Sequence, residues 1–284
     1  MAITLTHDES TAIDLETYVE FIRKEVNLQD EDSILGSAPA LGQLANNRTF
    51  LAGMLNQELK DYQTYQQHNA YSAQSIMLFR EPRFSVRAVV WENGFLPDVQ
   101  EFAYDLPHDH NFDFLTVGYT GPGYGTEIYE YDNSLVTGLP GERVDLRFLE
   151  DTTLPAGKIM FYRKGRDVHR QKIPAEFSVS LNLMIAVPPD QMKSQYLFDL
   201  KNSTIVRPFI TAEAGRLQLL RMTGILGDGN SVDILADLAD KHFCPWTRLE
   251  ALHALRRIDG DNQGEWDAIA AADPQEIVRR GIRL

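Results

Sequence analysis

Short runs typical of β-strands dominate the centre of the sequence, from about residue 71 to 200, and they constrain the fold more than any other feature. Residues 177–187 show the pattern most clearly, because apolar and polar side chains alternate there. A period of two places the apolar side chains on one face of a strand and the polar ones on the other. Turn sequences such as Gly-Leu-Pro-Gly at 138–141 separate the runs. Strands at this spacing predict an antiparallel barrel or sandwich. The apolar face of 177–187 comprises Val179, Leu181, Leu183 and Ile185.

Helical periodicity flanks this β-rich centre on both sides. On the N-terminal side, one apolar stripe at helical spacing comprises Leu15, Tyr18, Val19, Ile22 and Val26. On the C-terminal side, four short helices are predicted between residues 212 and 271, with a last one after Pro274. The segment from Pro245 resembles one HEAT-type repeat, but a helical cap packed on the barrel fits equally well. We predict an N-terminal helical segment at 1–70, a barrel at 71–205 and a helical region at 206–284.

Charge and composition argue against several classes of function. The formal net charge of −14, from 41 acidic and 27 basic side chains, repels phosphate backbones, so we expect no nucleic-acid partner. The sequence lacks a run of roughly 18 apolar residues, the length of a membrane-spanning helix, so we expect no membrane partner. Its first residues do not resemble a secretory signal. The single cysteine, Cys244, leaves no internal disulfide and is typical of a reducing compartment. We therefore expect a cytoplasmic protein.

Three of the seven histidines lie in the β-rich centre. His108 and His110 are separated by one residue, so on a strand both imidazoles point to the same face. A third ligand must come from elsewhere, and His169 is the candidate because it follows a glycine-containing turn and precedes the last long strand. Imidazole nitrogen suits Fe(II), Zn, Ni or Cu. The other four are expected to be surface or structural residues: His7, His68, His242 and His253.

The motifs around these histidines resemble a known family. Pro107-His108-Asp109-His110, Gly118, Pro155-Ala156-Gly157 and Val168-His169-Arg170 resemble the two-part motif of the cupin superfamily. Together with the strand 178–183, they resemble the thiol dioxygenases, the cysteine dioxygenase family, over roughly residues 71–190. The resemblance implies a cupin barrel in which His108, His110 and His169 hold Fe(II). It also implies open metal positions for O2 and a bidentate substrate.

The sequence departs from the family pattern at several positions. In place of the usual cupin glutamate, the nearest acid is Asp113, either a fourth ligand or a loop residue. The last strand of the family carries serine, histidine and tyrosine, where this chain has Ser180, Asn182 and Met184. We expect Ser180, Asn182 and Tyr162 to be the catalytic polar groups. No arginine clearly matches the one that binds the substrate carboxylate in the family, and the candidates for substrate binding are Arg87, Arg80 and Arg163.

These observations predict an α+β fold with a central antiparallel cupin β-barrel, flanked by N-terminal helices and a C-terminal helical region. The expected function is a mononuclear non-heme Fe(II) dioxygenase that acts on a small polar substrate bearing a carboxylate or a thiol. Zn, Ni, Mn and Cu are alternative metals. A metal-dependent isomerase or lyase is the first alternative function, and a non-catalytic cupin scaffold with a partner-binding helical region is the second. The expected partners are the substrate and O2, and a homodimer is an open alternative to a monomer.

Overall fold

The computed structural model describes residues 3–5, 10–60, 74–93, 104–188, 191, 193–209 and 214–283. The chain divides into two compact units. The first consists of Met1–Asn133 with Asp145–Val187, and the second of Ser134–Val144 with Pro188–Leu284. Within the described ranges, no helix combines the length and the apolar character that crossing a membrane requires.

Two antiparallel sheets form the centre of the first unit. The larger sheet has six strands in the order β1-β7-β4-β9-β3-β2, and the smaller has three in the order β6-β5-β8. Every neighbouring pair in both sheets is antiparallel. The strands are β1 (Ile3–Leu5), β2 (Ser75–Arg80), β3 (Phe84–Trp91), β4 (Phe114–Thr120), β5 (Gly125–Glu130), β6 (Arg147–Thr153), β7 (Ile159–Tyr162), β8 (Asp167–Lys172) and β9 (Ser178–Ile185).

Four N-terminal helices cover one face of the larger sheet. They are α1 (Leu15–Glu25), α2 (Glu31–Gly36), α3 (Ala38–Asn46) and α4 (Phe50–Lys60). Helix α1 begins after Asp14, whose carboxylate accepts a hydrogen bond of 2.8 Å from the backbone N–H of Thr17. The apolar stripe predicted from the sequence is confirmed in this helix, because Tyr18, Val19 and Ile22 are buried there. Each fully buried aliphatic side chain of this kind stabilises the fold by about 1.5–3 kcal/mol.

The two faces of the central strand β9 have different neighbours. The predicted apolar face, from Val179 to Ile185, packs in one core with the N-terminal helices. The opposite face carries Ser180, Asn182 and Met184, and Met184 belongs to a second, aromatic-rich core. That core combines side chains of both sheets, because it includes Phe114 of β4 and Ile128 of β5. The sheets therefore face each other, which confirms the predicted α+β class with a central antiparallel barrel.

The second unit consists of a two-stranded antiparallel sheet and helices. The strands are β10 (Tyr196–Asp199) and β11 (Thr204–Pro208). The boundary predicted at residue 205, between the barrel and the helical region, lies inside β11. The helices that follow share one apolar core. They are α5 (Ala214–Leu226), α6 (Val232–Lys241), α7 (Pro245–Ile258), α8 (Gln263–Ala272) and α9 (Glu276–Gly281). A C-terminal helical region is thus present, while the residues predicted to start its first helix, at 212–213, lie outside the described ranges.

Candidate metal centre

The backbone brings the predicted histidines side by side. His108 lies in the extended segment before β4, and His169 lies in β8. The N–H of His108 donates to the carbonyl of His169 at 3.0 Å, and the N–H of His169 donates back at 2.9 Å. This antiparallel bridge sets the two side chains next to each other. His110, two residues beyond His108, points to the same side, as its spacing predicts.

The three imidazoles converge through their Nε2 atoms. The Nε2 of His169 lies 3.0 Å from that of His110 and 3.2 Å from that of His108. Two nitrogens bound about 2.1 Å from one ion are separated by about 3.0 Å at an octahedral right angle and about 3.4 Å at a tetrahedral angle. The observed distances fall in this range. Among the described residues, the group of ligand atoms within 4.8 Å of one another consists of these three histidines.

The surroundings keep all three imidazoles neutral at pH 7. Burial lowers the pKa of His108 from 6.5 to about 4, and the charge of Arg87 acts in the same direction. Burial also holds the pKa values of His110 and His169 well below 6.5, with further contributions from the neighbouring histidines and Arg87. The Nδ1 of His108 lies 2.7 Å from the carbonyl oxygen of Leu106, which can only accept, so Nδ1 carries the proton. The lone pair of His108 is therefore on Nε2, the atom that faces the other histidines.

Gln171 is a neighbour of the centre that the sequence reasoning missed. Its Nε2 lies 3.1 Å from the Nδ1 and 3.0 Å from the Nε2 of His169, and its Oε1 is buried without a hydrogen-bond partner. A half-turn of the amide would bring Oε1 within reach of both ring nitrogens, so that it could accept the N–H of Nδ1 when the Nε2 of His169 binds a metal. The neutral donor set, the nitrogen separations and this buried oxygen together fit a divalent transition metal. The available signal was position, since Gln171 is two residues after His169 and shares its strand face.

Aromatic rings enclose the histidines. The rings of Tyr162 and Phe114 stack with centroids 4.7 Å apart, and Tyr162 lies 4.8 Å from the ring of His169. Phe112 covers His110 at 4.7 Å. Burial raises the pKa of Tyr162 well above 10, so its hydroxyl keeps its proton at pH 7. The predicted Tyr162 thus contributes a protonated phenol beside a low-polarity centre.

Ser180 and Asn182 belong to a hydrogen-bonded row inside the barrel. The indole N–H of Trp91 donates to Ser180 Oγ at 3.0 Å, and Ser180 Oγ donates to Asn182 Oδ1 at 3.3 Å. Thr116 Oγ1 donates to the same Asn182 oxygen at 2.8 Å. Trp91 and Thr116 were not predicted as site residues. The available signal for Thr116 was its polar side chain in the mostly apolar run of β4.

The three candidate arginines occupy different surroundings. Arg87 of β3 pairs in register with Asn182, and its charge lowers the pKa values of all three histidines. Arg163 instead forms an ion pair with the fully buried carboxylate of Asp167, with Nη2 2.5 Å from Oδ1. Arg80 is exposed at the end of β2. Of the three, Arg87 has a position suited to an anion near the histidines.

The structure does not bring Asp113 into the histidine group. Its carboxylate accepts a hydrogen bond of 2.7 Å from the backbone N–H of Lys164 and lies 3.4 Å from the Lys164 ammonium. These contacts anchor a loop, which was the other role considered for this residue. Of the remaining histidines, His242 accepts a structural hydrogen bond of 3.0 Å from the backbone N–H of Cys244. His7 and His68 lie outside the described residues.

Comparison with known proteins gives weak similarities. No protein-family model and no curated protein sequence matches the chain. Among solved structures, it is similar to a cupin domain from Bordetella pertussis, with 13% identity over 41% of this chain and 96% of that one, at a TM-score of 0.23. It is also similar to hydroquinone 1,2-dioxygenase from Sphingomonas sp. TTNP3, with 10% identity over 42% of this chain and 70% of that one, at a TM-score of 0.29.

A structure of DMSP lyases is a third similar protein, with 14% identity and a TM-score of 0.24. The match covers 37% of this chain and 39% of that chain, so this chain spans well under half of the lyase. The similar structures thus include cupin proteins, dioxygenases and a lyase.

Proposed function

We propose that the chain is a mononuclear non-heme Fe(II) dioxygenase of the cupin type, with the metal held by His108, His110 and His169. The convergence of their three neutral Nε2 atoms is the observation that supports this proposal. Neutral ligands leave the ion its full double positive charge, and three ligands leave up to three coordination positions open. Bound there, Fe(II) would supply coordination of O2 and of an anionic substrate side by side.

The substrate we propose is a small polar molecule that bears a carboxylate or a thiolate. Arg87 of β3 contributes positive charge to the histidine centre from the interior face of the larger sheet. Because the surroundings are buried, this charge is poorly screened, and it favours an anion over a neutral or cationic ligand. Arg87 would thus orient the anionic group, while the aromatic rings of Phe112, Phe114 and Tyr162 exclude water around it.

Tyr162 and Ser180 are the proposed polar groups of the reaction. The hydroxyl of Tyr162 remains protonated at neutral pH, so it can hold or donate a proton but cannot act as a base. Ser180 occupies the strand position of the serine in the thiol dioxygenases, which this chain resembles. The tyrosine of that family would stand at Met184, and Tyr162 of β7 provides a phenol within the same aromatic core. This difference in placement favours a substrate other than cysteine.

The test is the metal content of the purified protein, beside His108→Ala and His169→Ala. Iron near one equivalent in the wild type, lost in both variants, is the expected result. His253→Ala provides a matched control, because His253 lies in helix α7 of the second unit, and it should keep the wild-type content. Iron retained in both variants, or no metal after anaerobic reconstitution, would refute the centre and favour a scaffold.

Oxygen consumption then separates the enzyme classes. The iron-loaded protein should consume O2 with a member of a panel of small thiols and carboxylates, and chelation should abolish the consumption. Turnover that persists without O2 would instead indicate an isomerase or a lyase. The single Cys244 is unpaired and fits the cytoplasmic location that we propose, where Fe(II) and thiols remain reduced.

A further inference from the structure

The amide of Asn182 has a fixed orientation. Its Oδ1 accepts from Thr116 at 2.8 Å and from Ser180 at 3.3 Å. Ser180 Oγ accepts from the indole N–H of Trp91, which can only donate, and gives its own hydrogen to Asn182. An amide whose oxygen holds two donors presents its NH2 group elsewhere. Asn182 is therefore a hydrogen-bond donor towards any further partner.

Asn182 lies where a ligand of the histidine centre would extend. In register it faces Arg87 on one side and Thr116 on the other, and cross-strand neighbours of this kind have Cβ atoms about 5 Å apart. The adjacent pair along the strands is Met184 and Phe114, and the ring of Phe114 lies 5.0 Å from that of His110. Asn182 is therefore about 7 Å along the strand from the residues that touch the centre. Asn182 is 4% exposed, and within the described part of the chain no acceptor bonds to its Nδ2.

We infer that Asn182 and Arg87 form an anion subsite in which the Asn182 amide donates a hydrogen bond to a carboxylate oxygen of the ligand. Arg87 supplies charge and Asn182 supplies a directed donor, and neither side chain offers an acceptor in this orientation. The pair selects a carboxylate against the corresponding amide, whose NH2 group would find no acceptor. The inference rests on the proposed function for the identity of the substrate. Binding of the anion itself requires no metal.

The sharpest test is Asn182→Asp, measured with propionate and propionamide as probes. Aspartate has the shape of asparagine and still accepts from Thr116 and Ser180, but it has no N–H to donate. Asn182→Leu removes the donor without adding a charge, so it separates donor loss from repulsion. Binding is read from chemical-shift titrations in 1H–15N spectra of the full chain. Both variants should bind propionate at least tenfold more weakly than the wild type. Propionamide should fail to bind the wild type and Asn182→Leu, neither of which offers an acceptor to its NH2 group.

Asn202→Leu is the matched control, since Asn202 is exposed in the second unit, and it should bind propionate like the wild type. Propionate binding of wild-type strength in either folded Asn182 variant would overturn the inference. So would binding of propionamide to the wild type as strong as that of propionate, or no saturable binding of propionate to the wild type. Iron content, measured on the same samples, keeps the two proposals apart. Donor-dependent propionate binding by a protein that takes up no iron would support the subsite and refute the dioxygenase.

Discussion

Removal of the Gln171 amide should weaken metal binding about 10- to 100-fold. When Nε2 of His169 binds a metal, the proton of the neutral ring must sit on Nδ1, next to Gln171. In Gln171→Leu this buried N–H has no acceptor, which costs about 1–3 kcal/mol. The free protein escapes this cost, because the other tautomer can donate from Nε2 to the Nε2 of His110 at 3.0 Å or of His108 at 3.2 Å. The loss therefore falls on the metal-bound state alone.

The measurement is competition between the metal-free protein and a chromogenic chelator, with Zn(II) as a redox-inert probe. The 15N shifts of the His169 ring report the tautomer independently of affinity. Gln171→Glu offers only acceptors and should bind Zn(II) more tightly than the wild type. Gln263→Leu, at an exposed position of α8, should leave the affinity unchanged. Wild-type affinity in a folded Gln171→Leu protein, with the same tautomer, would show that Gln171 does not orient the ligand.

Three further predictions concern stability. The metal-free chain should become less stable from pH 7.5 to 5, by about 2 kcal/mol from His108 alone, because unfolded His108 (pKa 6.5) takes up a proton that the folded residue, with a pKa of about 4, does not. Hydrogen exchange of the β9 amides checks this, and an unchanged pH dependence in His108→Gln would contradict it. Gly118→Ala should destabilise the first unit by about 3 kcal/mol or more, since the added Cβ would lie 2.1 Å from a backbone oxygen. Gly53→Ala is the control and should not destabilise the unit, because no atom lies within 4 Å of its added Cβ. Thermal melts compare the two. Arg248→Ala should lower the free energy of unfolding of the second unit by about 3–5 kcal/mol, measured in urea, because it removes the cation that binds the buried Asp273 carboxylate at 2.7 Å. A loss below about 1 kcal/mol would refute this.

Local sequence patterns were sufficient to predict the strand β9 and the histidine group. All eight residues of β9 are buried, but the alternation of apolar and polar side chains at 177–187 still corresponds to the two faces of the strand. Each face packs against different neighbours. The spacing of His108 and His110 specified a shared side. The position of His169 before the last strand then placed it in the strand that bridges to His108.

Cross-strand register could not be predicted from the sequence. The row Arg87, Asn182, Thr116 exists because β3, β9 and β4 pair in one particular alignment, and a slip of one residue would turn each side chain to the helix-covered face. Arg163 illustrates the same limit of local patterns. Its partner Asp167 is only four residues away, but tertiary packing buries the Asp167 carboxylate. Arg163 therefore forms a structural ion pair with this carboxylate.

The two faces of the larger sheet differ in polarity, and this difference explains how the barrel can contain a polar interior. Buried polar groups destabilise a fold unless they are hydrogen-bonded, and the hydroxyl groups of the row from Trp91 to Asn182 satisfy this condition for all its members except the amide N–H of Asn182. Replacing such a row by aliphatic side chains would be nearly neutral for stability. Stability is supplied on the opposite face, where the N-terminal helices bury apolar side chains such as Leu181 and Ile22. The interior row is therefore free to serve ligand recognition, and its single directed donor, the amide of Asn182, is where that recognition should be sought first.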